Sequence, residues 1–189
     1  MIEFFTYWDT QFFIFLNGIN SPFWDNVMYW ISGTKSWIPF YLILIIVIVY
    51  KQRKRAIITL IFIGLVIFLS DQISVHFFKD VFQRLRPCHT PELQDIVHLV
   101  KNKCGGKYGF VSSHAANTFA LAGFLSFLFR YRPFIIFIIL WASIVSYSRI
   151  YLGVHFPLDV ICGAILGFVI GFLVYKTYQI ADRRIFKQT

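Results

Sequence analysis

The feature that most constrains this chain is a series of long apolar runs separated by short basic turns. Of its 189 residues, 58% are hydrophobic and 14% are charged. Soluble domains carry charge on about a quarter of their residues, whereas a helix that crosses a bilayer needs about 20 mostly apolar residues. We therefore predict an integral membrane protein. The composition excludes an ordinary soluble enzyme, a disordered chain and a coiled coil.

The apolar runs divide into five predicted membrane-spanning helices, the first of them shorter than the others. They cover residues 37–50, 56–78, 110–129, 133–152 and 157–178. A transporter built on inverted repeats needs two matching halves, and the chain shows no such repeat. We predict an all-α integral membrane protein: one membrane-embedded domain over residues 1–189, with a bundle of five to six transmembrane helices and an N-terminal interfacial helix.

The N-terminal segment, residues 1–33, is rich in aromatic side chains but is interrupted by polar ones. Asp9, Gln11 and Asn17 break up its Phe, Tyr and Trp residues, as expected of a helix that lies in the membrane interface. Residues 21–31 form either a second interfacial helix or the start of a sixth, partial span, and we favour the interfacial helix. The segment lacks a basic n-region and a small-residue cleavage site, so we predict no removable signal peptide.

Basic residues lie mainly in the short turns between the apolar runs, and they sum with the acidic residues to a net charge of +9. Lys and Arg are concentrated in residues 51–55, 130–132 and 176–187, whereas the loop 79–109 mixes basic and acidic side chains. Because Lys- and Arg-rich loops stay in the cytoplasm, we place loop 79–109 outside it. This pattern differs from the basic face of a nucleic-acid-binding protein, so the expected partner is the lipid bilayer and not a nucleic acid.

The three cysteines fall in two different settings. Cys162 lies inside an apolar run, where a free thiol acts as a small hydrophobic group. Cys88 and Cys104 share the predicted outer loop, where an oxidising compartment would allow a disulfide. The sequence leaves open whether they are oxidised, and it leaves the oligomeric state open.

Three segments, all on one side of the predicted spans, carry charged and polar residues that are unusual in a membrane protein. These segments are residues 79–87, 111–114 and 148–159. They bring Lys79, Arg86 and Arg149 to one membrane depth, where the three cations would repel one another unless an anion lay between them. Arg offers a planar fork that matches phosphate oxygens, and Lys offers a point charge. The alternative is that these side chains extend from helix ends towards lipid head groups.

The second segment places two serines and a histidine at the start of a predicted helix. Ser112 and Ser113 suit the N-cap and the first turn, where free backbone N–H groups also bind anions. Capping alone is the alternative, but it needs one serine. His114 in the first turn of a membrane helix is costly unless it faces water or a partner, so we consider it functional.

The third segment pairs a histidine with an acid one helical turn later. Pro157 suits the first position of a helix, and Asp159 can then reach the imidazole of His155. A carboxylate on one ring nitrogen fixes the tautomer and leaves the other nitrogen free as a nucleophile or base. Asp159 could instead serve the helix dipole, but that leaves His155 without a role.

Potential metal ligands occur on the same face, but their spacing does not match a metal site. These residues are Cys88, His89, His98, Cys104, His114 and His155. They form no C-x-x-C or H-E-x-x-H motif, and three nearby cations disfavour a divalent ion. We therefore expect a site that needs no metal and no other cofactor.

Together the three segments resemble the motif of the type 2 phosphatidic acid phosphatase superfamily of integral membrane lipid phosphatases. The family pattern is K-x6-R-P, then P-S-G-H, then S-R-x5-H-x3-D, and residues 79–87 and 148–159 match its first and third parts in full. Residues 111–114 read VSSH. Ser112 and His114 therefore match, while Val and Ser stand where the family has Pro and Gly.

The resemblance implies a role for each matched residue. His155 is the implied nucleophile that forms a phosphohistidine, Asp159 orients it, and His114 protonates the leaving oxygen. The residues implied to hold the phosphoryl oxygens are Lys79, Arg86, Ser112, Ser113 and Arg149.

We expect from this resemblance a membrane lipid phosphatase that acts on a phosphomonoester or diphosphate. The expected location is a bacterial inner membrane, with the active site on the periplasmic face, and there undecaprenyl diphosphate is the favoured substrate. Phosphatidylglycerophosphate, phosphatidic acid and lipid A phosphates stay open. One alternative is a lipid phosphotransferase. A transporter of an anion or lipid is the other, but it predicts ionisable residues at mid-membrane, where Asp71 alone comes near.

Overall fold

The computed structural model describes residues 2–186 of the chain, and they form a helical bundle. The helices are α1 (Ile2–Gly18), α2 (Pro22–Ser32), α3 (Ile38–Gln52), α4 (Ala56–Gln72), α5 (Asp80–Phe82), α6 (Ser113–Phe129), α7 (Arg132–Tyr151) and α8 (Pro157–Phe186). Strand-like pairing in these residues is confined to one isolated bridge between Leu85 and Tyr108. The predicted all-α class is confirmed.

Apolar helices occupy the positions of the five predicted spans, but they differ in length. Three continuous helical stretches in the described residues are long and apolar enough to cross a membrane, over Thr34–Phe82, Arg132–Tyr151 and Pro157–Phe186, and α6 is a shorter apolar helix. The first stretch covers 49 residues because it contains both α3 and α4. They are joined by a turn at Arg53–Arg55, in which Arg53 has a positive φ of 48°.

Two helix boundaries differ from those predicted. Helix α6 begins at Ser113 and not at residue 110, because the backbone before it pairs with other segments of the site: the Ser112 N–H donates to the Asp159 carbonyl at 2.9 Å. Helix α8 continues to Phe186, beyond the predicted end at residue 178. Its last turns are polar and carry Arg183 and Arg184, so hydropathy alone marks its apolar part.

The contact between α6 and α8 is made by small residues. Gly163, Gly167 and Gly171 recur every fourth residue along one face of α8. A Cβ atom placed on Gly167 would lie 2.1 Å from the Ala116 carbonyl oxygen, and one on Gly171 would lie 2.4 Å from that of Ala120. Such small-residue faces let membrane helices approach until their backbones touch. This approach brings the N-terminal ends of α6 and α8 together on one side of the bundle.

The N-terminal helices lie against that same end of the bundle. The Asn17 amide donates to the carbonyl oxygens of Ile150 at 3.2 Å and Tyr151 at 2.8 Å, and Phe13 packs edge-to-face on Phe156. The remaining aromatic side chains of α1 are exposed, as an interfacial helix requires; they are Phe4, Phe5, Tyr7, Trp8, Phe12 and Phe15. Helix α2 has 11 residues, about half of what a span needs, which favours the predicted second interfacial helix.

The loop between α5 and α6 is folded onto this end through short 3₁₀ turns. Cys88 and Cys104 form a disulfide, which is the pairing that the sequence left open, and Cys162 is free. Leu93 and Val100, both in this loop, are buried. The loop therefore has its own apolar contacts and carries Arg84 and Arg86 into the bundle.

Candidate active site

The three predicted segments converge at the end of the bundle where α6 and α8 begin, which we call the outer end after the predicted side of loop 79–109. The Lys79 ammonium, from the π-helical end of the α4 stretch, donates to the Ser113 hydroxyl at 2.5 Å. The Arg86 Nη1 atom lies 3.2 Å from His155 Nε2 and donates to the Val154 carbonyl at 3.3 Å. Residues separated by up to 76 positions in the sequence thus meet in one cluster, as the shared membrane side of the three segments predicts.

His155 and Asp159 form a buried pair at the start of α8. Asp159 Oδ2 lies 3.4 Å from His155 Nδ1 and accepts the Phe156 N–H at 3.0 Å, and His155 and Asp159 are 1% and 0% exposed. Burial, together with the charge of Arg86, lowers the pKa of His155 well below its usual value. The ring is therefore neutral at neutral pH. With Nδ1–H directed to the carboxylate, the lone pair of Nε2 faces the cations.

The three cations bond to neutral groups. Arg86 Nε donates to the Tyr108 carbonyl at 3.2 Å, Lys79 donates to Ser113, and Arg149 donates to the Ser32 hydroxyl. Over residues 4–186, none of the three forms an ion pair with a carboxylate. Clustered cations without carboxylate partners are costly in a partly buried place. The arrangement therefore favours an anionic ligand.

Two polar atoms beside the cations are buried and lack a hydrogen-bond partner among the described residues. They are Arg149 Nε and the Ser112 hydroxyl oxygen. Buried polar atoms are nearly always paired in folded proteins, so a ligand at this place would complete the hydrogen bonding of both atoms. A tetrahedral oxyanion offers acceptors to both atoms.

A large apolar cavity is lined by His114 and by Ser32, the hydrogen-bond partner of Arg149. The cavity has a volume of ≈ 600 Å³, which is within the range of ligand pockets. Ser32, His114 and Asn117 are among its polar lining residues, and its wall consists mainly of apolar residues of α3, α4, α6 and α7, among them Tyr41, Ile48, Leu60, Leu121 and Trp141. The arrangement can hold an anion at one end and a hydrocarbon chain at the other.

Several residues of the site were missed by the sequence analysis. Ser32, at the end of α2, contacts Arg149, and Ser74 bonds the Ser113 hydroxyl at 2.8 Å. A Cβ atom on Gly109 would lie 3.0 Å from Asp159 Oδ2 and 3.5 Å from His155 Nδ1. Gly109 stands two residues before the second motif, and its nearness to the motif was a usable sequence signal. Neither serine has a comparable sequence signal.

The potential metal ligands are engaged in other contacts. His98 pairs with Asp25 at 2.8 Å, and His89 contacts the Gly105 carbonyl at 3.3 Å. Within residues 4–186, the one group close enough to share a metal ion is formed by Cys88, His89 and Cys104. Because its two sulfur atoms are joined in the disulfide, they do not provide thiolate ligands. The residues present around His155 are cationic and do not suit a divalent ion.

The chain is similar to known membrane phosphatases. Residues 55–183 match the family model described as the PAP2 superfamily. The chain is 46% identical over 178 residues to a lipid A 4'-phosphatase of Bacteroides thetaiotaomicron, covering 93% of this chain and 79% of that protein. It is 38% identical over 177 residues to a lipid A 4'-phosphatase of Porphyromonas gingivalis, covering 93% and 75%. The crystal structure of Aquifex aeolicus LpxE superposes with a TM-score of 0.65 at 25% identity, covering 88% of this chain and 94% of that one.

Proposed function

We propose, from the premise that this chain belongs to the PAP2 superfamily, that it removes a phosphate monoester from a lipid A-type glycolipid. The chain is an integral membrane lipid phosphatase, a hydrolase of phosphoesters, as its family and relatives establish. The proposal is supported chiefly by the arrangement of residues in the candidate active site. A buried His155–Asp159 pair faces three cations that lack carboxylate partners among the described residues, beside an apolar cavity.

In the first step, the Nε2 lone pair of His155 attacks the phosphorus atom. The new N–P bond forms as the bond from phosphorus to the ester oxygen breaks, and the bonding electrons stay on that oxygen. His114 supplies a proton to the oxygen, because an alkoxide leaves poorly without one. Asp159 holds Nδ1–H and balances the positive charge that the phosphorylated ring acquires.

In the second step, water attacks the phosphohistidine from the side that the alcohol has left. His114, now neutral, takes a proton from the water, the N–P bond breaks, and its electrons return to His155 Nε2. Inorganic phosphate leaves, and both histidines regain their starting states. Throughout, the charge on the phosphoryl oxygens is balanced by groups already in position: Lys79, Arg86, Arg149, the hydroxyl groups of Ser112 and Ser113, and the N–H group of Ser113.

The apolar cavity supports a substrate with a hydrocarbon chain. It begins at His114 and continues between helices of the bundle, so a lipid can present its phosphate at the cations while a chain remains in an apolar environment. The relatives at 46% and 38% identity carry the name lipid A 4'-phosphatase. These relatives favour a lipid A phosphate over undecaprenyl diphosphate, the substrate favoured by the sequence analysis.

The proposed location is a bacterial inner membrane with the site on the periplasmic face. Its support is the charge distribution: the basic turn Arg53–Arg55 and the end of α8 share the opposite end of the bundle, where Arg55 pairs with Asp182 at 3.3 Å. The test places single cysteines at Gln52 and Gln94 in a chain without native thiols. We expect a membrane-impermeant maleimide to label Gln94→Cys and not Gln52→Cys in intact spheroplasts; the reverse pattern would contradict the location.

The activity is tested with detergent-purified protein and a panel of lipid phosphates. The panel contains lipid A 4'-phosphate, undecaprenyl diphosphate, phosphatidylglycerophosphate and phosphatidic acid, and inorganic phosphate release is measured. We expect the highest kcat/KM with the lipid A phosphate. Preference for another lipid in the panel would overturn the proposed substrate, and appearance of a phosphorylated acceptor lipid in place of free phosphate would identify a phosphotransferase.

A further inference from the structure

A second buried carboxylate lies behind the His155–Asp159 pair, on a helix that the sequence motifs do not include. It belongs to Asp9 of α1, which is 5% exposed. The guanidinium of Arg84 bridges the two acids: Nη2 lies 2.6 Å from Asp9 Oδ2, and Nη1 lies 2.8 Å from Asp159 Oδ1. Arg84 is two residues before Arg86, yet it faces away from the cation cluster and towards α1.

We propose that Asp9 and Arg84 are positioning residues that hold Asp159, and through it His155, in the geometry for attack. The inference rests on the proposed function, because it assigns Asp159 to the orientation of a nucleophilic His155. It adds the interfacial helix α1 to the machinery of the site.

The bonds of Asp159 show how Arg84 would act. Oδ2 faces His155 Nδ1 and accepts the Phe156 N–H, while Oδ1 accepts from Arg84. The carboxylate is thus held on both oxygens and cannot rotate away from the imidazole without losing a charged hydrogen bond. The guanidinium also stacks 4.3 Å from the ring centre of Phe156, which fixes the plane of its fork.

Asp9 in turn fixes both Arg84 and the start of α8. Its Oδ2 accepts from Arg84, and its Oδ1 accepts the Leu158 N–H at 2.8 Å. Leu158 follows Pro157 in the first turn of α8, where backbone N–H groups lack partners within the helix and a carboxylate is favoured by the helix dipole. The same carboxylate therefore connects α1 to the first turn of the helix that carries Asp159.

The central experiment is a double-mutant cycle on kcat. Asp9→Asn removes the charge with little change in volume, and Glu92→Gln, at an exposed acid of the outer loop, is the matched control. Misplacement of a catalytic group costs up to about 10²-fold. We expect Asp9→Asn to lower kcat at least about tenfold with KM changed less than about threefold, and Glu92→Gln to have no effect.

The cycle separates a positioning role from a structural one. If Asp9 acts through Asp159, Asp9→Asn has no further effect on the residual activity of Asp159→Asn, because the two residues then belong to one unit. An equal fold loss in both backgrounds would overturn the inference, and so would wild-type kcat in Asp9→Asn.

A second variant keeps the inference testable if Asp9→Asn does not fold. Arg84→Lys retains the charge but cannot bridge two carboxylates with a planar fork. We expect it to lower kcat about tenfold or more without a matching change in KM, and unchanged kcat would contradict the inference. If the wild type released no phosphate from any lipid of the panel, the proposed function would fail as well, whereas an active wild type with an active Arg84→Lys would overturn the positioning role alone.

Discussion

The two ends of the bundle both carry clustered Lys and Arg, but the clusters differ in burial and in their partners. At the opposite end, which carries the turn Arg53–Arg55 and which we call the inner end, Arg53, Lys54 and Arg55 are exposed, and Arg55 pairs with Asp182. At the outer end, Arg86 is 8% exposed and the cations bond hydroxyl and carbonyl oxygens. Exposed, paired cations suit a membrane surface, whereas enclosed cations without carboxylate partners suit a bound anion. Burial and partners, not the number of charges, distinguish the candidate site.

The largest expected effect is that of replacing His155, the proposed nucleophile, which has no counterpart at the inner end. We expect His155→Asn to lower kcat at least about 10³-fold, because loss of a covalent catalyst leaves binding and charge stabilisation alone. His155 is 1% exposed, so the polar Asn, and not Ala, is used to limit the cavity. Circular dichroism and thermal unfolding in detergent provide the check on folding. Near-normal turnover in a folded His155→Asn protein would exclude the covalent mechanism.

Removal of single cations tests the comparison of the two ends directly. Arg149→Ala and Arg86→Ala should lower kcat/KM about 10²- to 10³-fold, as losses of groups that stabilise developing charge do. Arg53→Ala and Arg183→Ala, at exposed positions of the inner end, should change it less than about twofold. Steady-state kinetics with one lipid substrate measures all four. Similar losses at both ends would show that the cations act through general electrostatics or stability.

His114→Ala should show an effect that depends on the leaving group. Proton donation contributes about 10²- to 10⁴-fold for a poor leaving group and much less for one that departs unprotonated. We therefore expect a large loss of kcat with a lipid monoester and a small loss with p-nitrophenyl phosphate. Equal losses on both substrates would assign His114 to phosphate binding and not to acid catalysis.

The smallest expected effect is that of a methyl group beside the buried pair. Gly109→Ala places a Cβ atom 3.0 Å from Asp159 Oδ2 and 3.3 Å from Arg86 Cγ, so one of them must shift by a few tenths of an ångström. We expect kcat to fall about tenfold with little change in thermal stability. Gly106→Ala is the control, because a Cβ atom there meets no atom within 4 Å. Equal kcat for the two variants would show that the pair tolerates the shift.

The sequence predicts the helical class, the positions of the apolar helices and the three segments that meet, because hydropathy and motif spacing are local properties. The contacts of Asp9, Ser32 and Arg84 are not predictable in this way. Asp9 lies 75 residues before Arg84, and its position in an aromatic segment indicates an interfacial helix and nothing about a site. In the sequence, the glycines of α8 are simply members of an apolar run. Their contacts with Ala116 and Ala120 are visible only in the structure.

The covalent mechanism is tested most directly by identifying the residue that becomes phosphorylated. Wild-type protein is mixed with ³²P-labelled lipid A 4'-phosphate, quenched with alkali within the first turnover, digested and analysed by mass spectrometry. We expect a label that is stable to base and labile to acid, located on the peptide that contains His155 and absent from His155→Asn. A label on another residue, or the same label in His155→Asn, would contradict the central claim that the outer cation cluster serves a nucleophilic His155.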